Sequence, residues 1–273
     1  VNCFRLKLML KKIYKKTKVF YALISLIRPI LFTAGFTFLL SPYAAIYAND
    51  YQTYFDSGFK KGEKGDYFGA IYDYTSSIEL NPNNVEAFYN RGWAKAKIND
   101  HLGAIADYSE AVSIDPSYEK ALYGLGWSKS QLGNNYGSIS DYTQLININP
   151  EHENAYFGRA YSKSKLSNSY GAISDYTKVI QLNPSNDDAF YNRGLAKHNL
   201  NQHYEAISDY SKAIEINKKY KKAFLNRSVS KTKIGDMKGA CKDARQAKSL
   251  GYKSMENENW IKENCNSSNF KFF

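Results

Sequence analysis

Residues 153–186 read ENAYFGRAYSKSKLSNSYGAISDYTKVIQLNPSN, and this stretch decides the fold because the chain repeats its plan. Its Asn183-Pro184 recurs as Asn149-Pro150, Asp115-Pro116 and Asn81-Pro82, each 34 residues apart. A fixed period of that size marks stacked structural repeats. With the Pro as position 32, six units fall at 51–84, 85–118, 119–152, 153–186, 187–220 and 221–254. Position 8 holds small residues, Gly58, Gly92, Gly126, Ala160, Gly194 and Ser228. Position 20 does the same, and position 24 is Tyr in five units, from Tyr74 to Tyr210. Small residues at 8 and 20 let two helices approach, and large residues at 4 and 24 fill the space beside them. Gly65-Asp66, Asn99-Asp100 and Gly235-Asp236 place a turn near position 15. Pro at 32 ends the second helix because it has no N–H to donate.

The small–aromatic–Pro pattern at 8, 20, 24 and 32 resembles that of the tetratricopeptide repeat family. The Asn-Arg-Gly and Ala-Ile-Ser-Asp-Tyr segments resemble a bacterial subtype of it. The resemblance implies an all-α, right-handed superhelical solenoid of six helix-turn-helix repeats. Lys218 and Tyr252 replace the Pro in the last two units, and Ala244 replaces the aromatic, as terminal repeats often allow. Residues 255–273 are expected to form a capping helix and tail, with Trp260 and Ile261 covering the last face.

The formal charge of +11 is unevenly spread. Eight basic residues, from Arg5 to Arg28, precede the first acidic one, Asp50. The remaining 29 basic and 26 acidic residues nearly balance, so the repeats carry no signature of a nucleic-acid binder. Residues 1–48 have the order of a leader: a basic segment, the apolar run Ile30–Leu40, then Ser41-Pro42-Tyr43-Ala44-Ala45-Ile46-Tyr47-Ala48. This is the layout of a secretory signal cut after Ala48. Retention of Val19–Ala48 as a membrane anchor is the alternative, with any membrane contact confined to residues 1–48. Export to a periplasm or thylakoid lumen, or anchoring at a membrane, follows as the expectation. A retained basic leader would instead suit an anionic surface or nucleic acid. Cys241 and Cys265, 24 residues apart, are a candidate disulfide for an oxidising compartment.

On the first helix of each unit, positions 4, 7, 8 and 11 share one face and 2, 5, 9, 12 and 13 the other. The family resemblance implies that the second face lines a concave groove. There it is aromatic, with Tyr89, Trp93, Tyr123, Trp127, Phe157 and Tyr161 at positions 5 and 9, and Lys97 and Lys165 at position 13. Such a stripe marks a binding surface for a protein or peptide. Packing of adjacent first helices through the same rings is the competing reading. The packed face carries cations: Lys61, Lys95, Lys129, Lys163, Lys197 and Lys231 at position 11, and Arg91, Arg159, Arg193 and Arg227 at position 7. Position 23 is always Asp, at Asp73, Asp107, Asp141, Asp175, Asp209 and Asp243. Buried cations require partners, so a structural ladder of ion pairs is expected, once per repeat.

No catalytic constellation is legible, and neither a cofactor nor a metal is expected. His101, His152, His198 and His203 read as surface residues with no ligand set around them. The chain reads as a non-enzymatic interaction scaffold.

Overall fold

The structure, a computed structural model, describes residues 41–265. Those residues form thirteen helices and no strands. They are α1 (Ser41–Glu63), α2 (Tyr67–Leu80), α3 (Val85–Lys97), α4 (His101–Ile114), α5 (Glu119–Gln131), α6 (Asn135–Ile148) and α7 (Glu153–Lys165). The chain continues with α8 (Ser169–Leu182), α9 (Asp187–Asn199), α10 (His203–Ile216), α11 (Lys221–Lys233), α12 (Met237–Ser249) and α13 (Met255–Asn264). Consecutive helices pack as hairpins, and each hairpin packs on the next, giving an all-α solenoid of six repeats closed by α13.

The hairpin turn has a uniform cause. Position 15 takes a left-handed backbone in every unit, as Gly65, Asn99, Gly133, Ser167, Asn201 and Gly235. The next residue caps the second helix: Asp66, Asp100, Asn134, Asn168 and Asp236 accept the N–H of the residue three further on. Gln202 makes no such cap.

At the other end of the hairpin, Pro is not required for the stop. The fifth unit has Lys218 at position 32, yet α10 still stops at Ile216. Asn217 remains, and its side chain accepts the Lys219 N–H and donates to Asp187. Asn149 and Asn183 do the same with Glu119 and Glu153. The asparagine therefore supplies a sufficient stop by tying the loop to the first helix of its own repeat.

Close packing runs through the position-24 tyrosines. A Cβ added to Gly92, Gly126 or Gly194 would come within 3.0 Å of Tyr108, Tyr142 or Tyr210 respectively. These rings are buried, as are the alanines at position 20. Burial pushes the phenols up, Tyr74 to about 12, so they stay neutral at physiological pH.

At the chain ends, α1 begins ten residues before Tyr51, and the expected cut after Ala48 falls within this helix. Residues 1–40, with the basic segment and the apolar run, lie outside the described residues. No helix among the described residues is long and apolar enough to cross a membrane. Cys241 and Cys265 are disulfide-bonded, Cα atoms 5.5 Å apart, which ties α13 to α12. Trp260 and Ile261 are half-buried. They leave the last face incompletely covered, because Trp260 stands across a pocket of about 350 Å3 from Leu225 and Val229.

Candidate functional site: an aromatic groove over an ion-pair ladder

The ring stripe on the first helices divides into two populations. Position-5 rings rest on the position-24 tyrosine of their own repeat: Tyr89 on Tyr108 at 5.8 Å, Tyr123 on Tyr142 at 5.8 Å and Phe157 on Tyr176 at 5.4 Å. They are half-buried, so this part of the stripe is largely packing, but against the second helix of the same repeat, a different contact from the packing of adjacent first helices that the competing reading expected. Position-9 rings stand further out. Trp127 and Tyr161 are exposed, and Trp93 is half-buried. Trp93 meets Tyr67 edge-on at 5.7 Å and Trp127 meets His101 edge-on at 5.1 Å, which fixes both indoles.

Between the second and third repeats the rings enclose a pocket of about 290 Å3. Tyr89, Trp93, Tyr108, Tyr123 and Trp127 supply its walls, Ala96 and Gly124 add small surfaces, and Lys97 and Lys120 line it with charge. Lys97 lies over the Trp93 ring at 5.2 Å and Lys120 over the Tyr89 ring at 6.0 Å. Gly124 holds the pocket open. A Cβ there would meet Tyr108 at 2.7 Å, and any longer side chain at position 6 would project beside the same ring. Burial raises the Tyr108 phenol, with smaller contributions from Tyr89 and Asp107, and also raises Tyr89 and Tyr123. The rings are thus neutral, and the two ammonium groups set the sign of the pocket.

Phe157, Tyr161 and Lys165 do not join this pocket. Lys165 lies over the Tyr161 ring at 5.0 Å, one repeat further along. The sequence grouped six rings and two lysines; the structure brings together four of those rings, with Lys97. Lys120 and Gly124 complete the set. Lys120 was legible as a groove-face residue, and Gly124 had its signal in the loss of the Asn found at Asn90, Asn192 and Asn226.

Beneath the groove, the carboxylates of position 23 meet their cations. Arg159 grips Asp175 in two-point fashion, Nε to Oδ2 at 2.9 Å and Nη2 to Oδ1 at 2.8 Å, and Lys163 reaches Oδ2 at 2.7 Å. Arg91 with Lys95 does the same at Asp107, Arg193 with Lys197 at Asp209, and Arg227 with Lys231 at Asp243. The remaining guanidinium nitrogen donates backwards to a hydroxyl of the preceding repeat: Arg91 to Thr75, Arg159 to Thr143, Arg193 to Thr177 and Arg227 to Ser211, at 2.9–3.2 Å. Sequence reading placed the ladder within each hairpin, and the structure adds these bonds between hairpins. They fix the rotation of one repeat on the next.

Two rungs lack the arginine. Asp73 accepts from Ser57 at 2.6 Å and pairs with Lys61 at 2.7 Å. In the third repeat Leu125 occupies the arginine position, and Asp141 has Lys129 alone. The ammonium lies 2.9 Å from Oδ1 and 2.8 Å from Oδ2, but only Oδ1 receives it with hydrogen-bonding geometry. Desolvation raises the Asp141 carboxyl above its ordinary value, with Lys129 opposing.

The histidines do more than sit at the surface. His152 Nδ1 accepts the Ala155 N–H and caps α7, and its ring stacks on Tyr123 at 5.8 Å. His198 Nδ1 lies 2.8 Å from Ser230 Oγ, which links the fifth and sixth repeats. Among the described residues no group of three or more His, Cys, Asp or Glu side chains could hold a metal ion.

Comparison with known proteins agrees with this geometry. Models described as tetratricopeptide repeat or TPR repeat match residues 63–99, 85–118, 119–152, 170–201 and 187–220. Comparison with curated proteins gives no match. Among solved structures, MamA is 28% identical with a TM-score of 0.60, over 64% of this chain and 96% of that one. YrrB, described as a TPR protein with an unusual peptide-binding site, is 20% identical with a TM-score of 0.61, over 69% of this chain and 97% of that one. PilF of Pseudomonas aeruginosa is 14% identical with a TM-score of 0.65, over 80% of this chain and 99% of that one, and shows the fold alone. The matched segments join into residues 63–152 and 170–220, just over half of the sequence, and the chain belongs to the tetratricopeptide repeat family.

Proposed function

We propose that this protein is an exported or membrane-anchored scaffold that holds a segment of another protein in the groove between its second and third repeats, in the assembly of a complex. The observation that carries the reading is the pocket of about 290 Å3 with aromatic walls and the two lysines Lys97 and Lys120. Rigid aromatic rings offer a large contact area at small entropic cost, which is why they anchor interfaces. The segment it suits is extended or helical, with an apolar side chain for the pocket and an acidic residue near the ammonium groups. Lys and Asn side chains holding a terminal carboxylate would need polar groups at positions 5 and 9, which here carry rings. The tetratricopeptide fold supports a protein partner, and the leader layout supports export.

The test is a titration of candidate segments against Trp93→Ala/Trp127→Ala. Loss of two anchors predicts at least a hundredfold weaker binding with unchanged helicity. Equal affinity in the double variant would refute the groove. Export is tested separately by mass spectrometry of the mature protein: an N-terminus near Asn49 is expected, and an intact basic segment would refute it.

A further inference from the structure

A second apolar surface lies away from the groove. The second residue of each second helix, at the turn end of the hairpin, is Phe68, Leu102, Tyr136, Tyr170 and Tyr204 in the first five repeats. Their exposures are 73%, 72%, 77%, 72% and 71%, against 38% for Trp127 in the groove. Nothing in the hairpins needs these side chains, since none of them appears in a core cluster. Large apolar side chains repeated at one register and left in water form a docking ridge rather than scattered surface residues. We propose that this ridge is a self-association surface, on which a second copy of the chain docks antiparallel about a two-fold axis through Tyr136.

Four observations choose a second copy as the occupant. An antiparallel copy about an axis through Tyr136 pairs Phe68 with Tyr204, Leu102 with Tyr170, and Tyr136 with itself, so every member of the ridge meets a counterpart in the i-to-j, j-to-i manner of a two-fold interface. Each side chain offers on the order of 150 Å2. The five together approach the roughly 800 Å2 per partner of a stable dimer. The ridge also has interface anatomy. Positions 14–19 of the middle three repeats hold one charged residue, Asp100, while charge appears at the two ends as Lys64 and the helix-capping Asp66 in the first repeat and Glu205 in the fifth. A core poor in charge with a charged rim is the pattern of protein interfaces. Finally, the antiparallel register brings the exposed Lys64 of one copy towards the exposed Glu205 of the other. This surface is independent of the groove proposed above.

Sedimentation of the full chain at micromolar concentration tests the idea. A dimer is expected, and Tyr136→Glu, which sets two carboxylates against each other on the axis, should raise its dissociation constant at least about tenfold. Tyr136 is exposed, so the substitution leaves the fold intact, which circular dichroism verifies. Tyr136→Cys should cross-link to itself under oxidation, whereas Phe68→Cys should do so only together with Tyr204→Cys. Lys64→Glu should weaken the dimer, and adding Glu205→Lys should restore it. A monomeric wild type, a dimer indifferent to Tyr136→Glu, or a monomer that binds lipid vesicles through the same ridge would overturn the proposal. Failure of the charge swap to rescue would overturn the antiparallel register. Trp93→Ala/Trp127→Ala should leave the dimer unchanged, so failure of the groove reading and failure of this one are separable.

Discussion

The third repeat and the fourth are built on the same frame and part company at the arginine rung. Gly158-Arg159-Ala160 in α7 corresponds to Gly124-Leu125-Gly126 in α5. In the fourth repeat Arg159 holds Asp175 from two sides and reaches back to Thr143, so the rung is saturated and joined to its neighbour. In the third, Leu125 is buried where that guanidinium would lie, and Asp141 keeps one ammonium partner. The pocket opens beside this irregular rung, with Gly124 on its surface. Regular rungs make a stack with one register, and a departure from the repeat marks where the surface is shaped for something else.

The difference is measurable as unequal cost. Asp175→Asn leaves Arg159 and Lys163 facing a neutral amide in a half-buried site. Removing one side of such a network costs about 3–5 kcal/mol. Asp141→Asn strands only Lys129 and relieves a carboxylate that is already poorly solvated, so its cost should be about 1 kcal/mol. Urea unfolding of the two variants checks this. Equal losses would break the distinction between the rungs.

Next in size is Gly124→Ala. The added methyl would lie 2.7 Å from the Tyr108 ring, and moving that buried ring costs about 1–3 kcal/mol. The same displacement fills the pocket, so affinity for a groove-binding segment should fall with stability. A substitution tolerated without loss of either would show that Gly124 does not hold the pocket open.

Leu125→Arg rebuilds the missing guanidinium, with Ser109 at the register position of its hydroxyl acceptor. Lost apolar burial and the gained ion pair roughly cancel, so the net change should lie within about 1 kcal/mol. The pH dependence is the sharper readout. The folded Asp141 carboxyl is raised by desolvation, so the native state binds its proton more readily than the unfolded chain does. That carboxylate therefore costs stability above its folded pKa, and the cost is recovered as pH falls through that value towards 3.8. In Leu125→Arg this recovery on acidification should disappear, as NMR titration of Asp141 and unfolding at several pH values would show.

Most of the frame was legible because each part of it depends on the size or charge of one residue per unit. A small residue at position 8 faces the ring at 24 wherever that ring is present, and Asp at 23 has to face a cation, so the six units could be aligned without coordinates. The six-ring groove was less legible. Positions 5 and 9 share a helix face by angle, but whether a ring packs or projects depends on Tyr108, Tyr142 and Tyr176 in the other helix, which no one-helix projection includes. The exposed ridge is written at one register from Phe68 to Tyr204, but on second helices whose apolar residues at positions 20 and 24 are buried, so its exposure was not legible from residue type.

The smallest effect belongs to the turn that joins these two repeats' own helices. Gly133 takes a left-handed backbone with φ of 76° in the third repeat, and Ser167 takes it with φ of 58° in the fourth. A residue with a Cβ pays about 1–2 kcal/mol for that conformation. Ser167→Gly removes the strain, but the freer unfolded chain returns about 0.4–1 kcal/mol of the gain. A net stabilisation of about 0.5 kcal/mol remains, in the opposite direction to the aspartate and Gly124 substitutions. Gly133→Ser should cost about as much. If the two reciprocal substitutions failed to mirror each other, the two hairpins would differ in more than the arginine rung, and the comparison would have to include the turn.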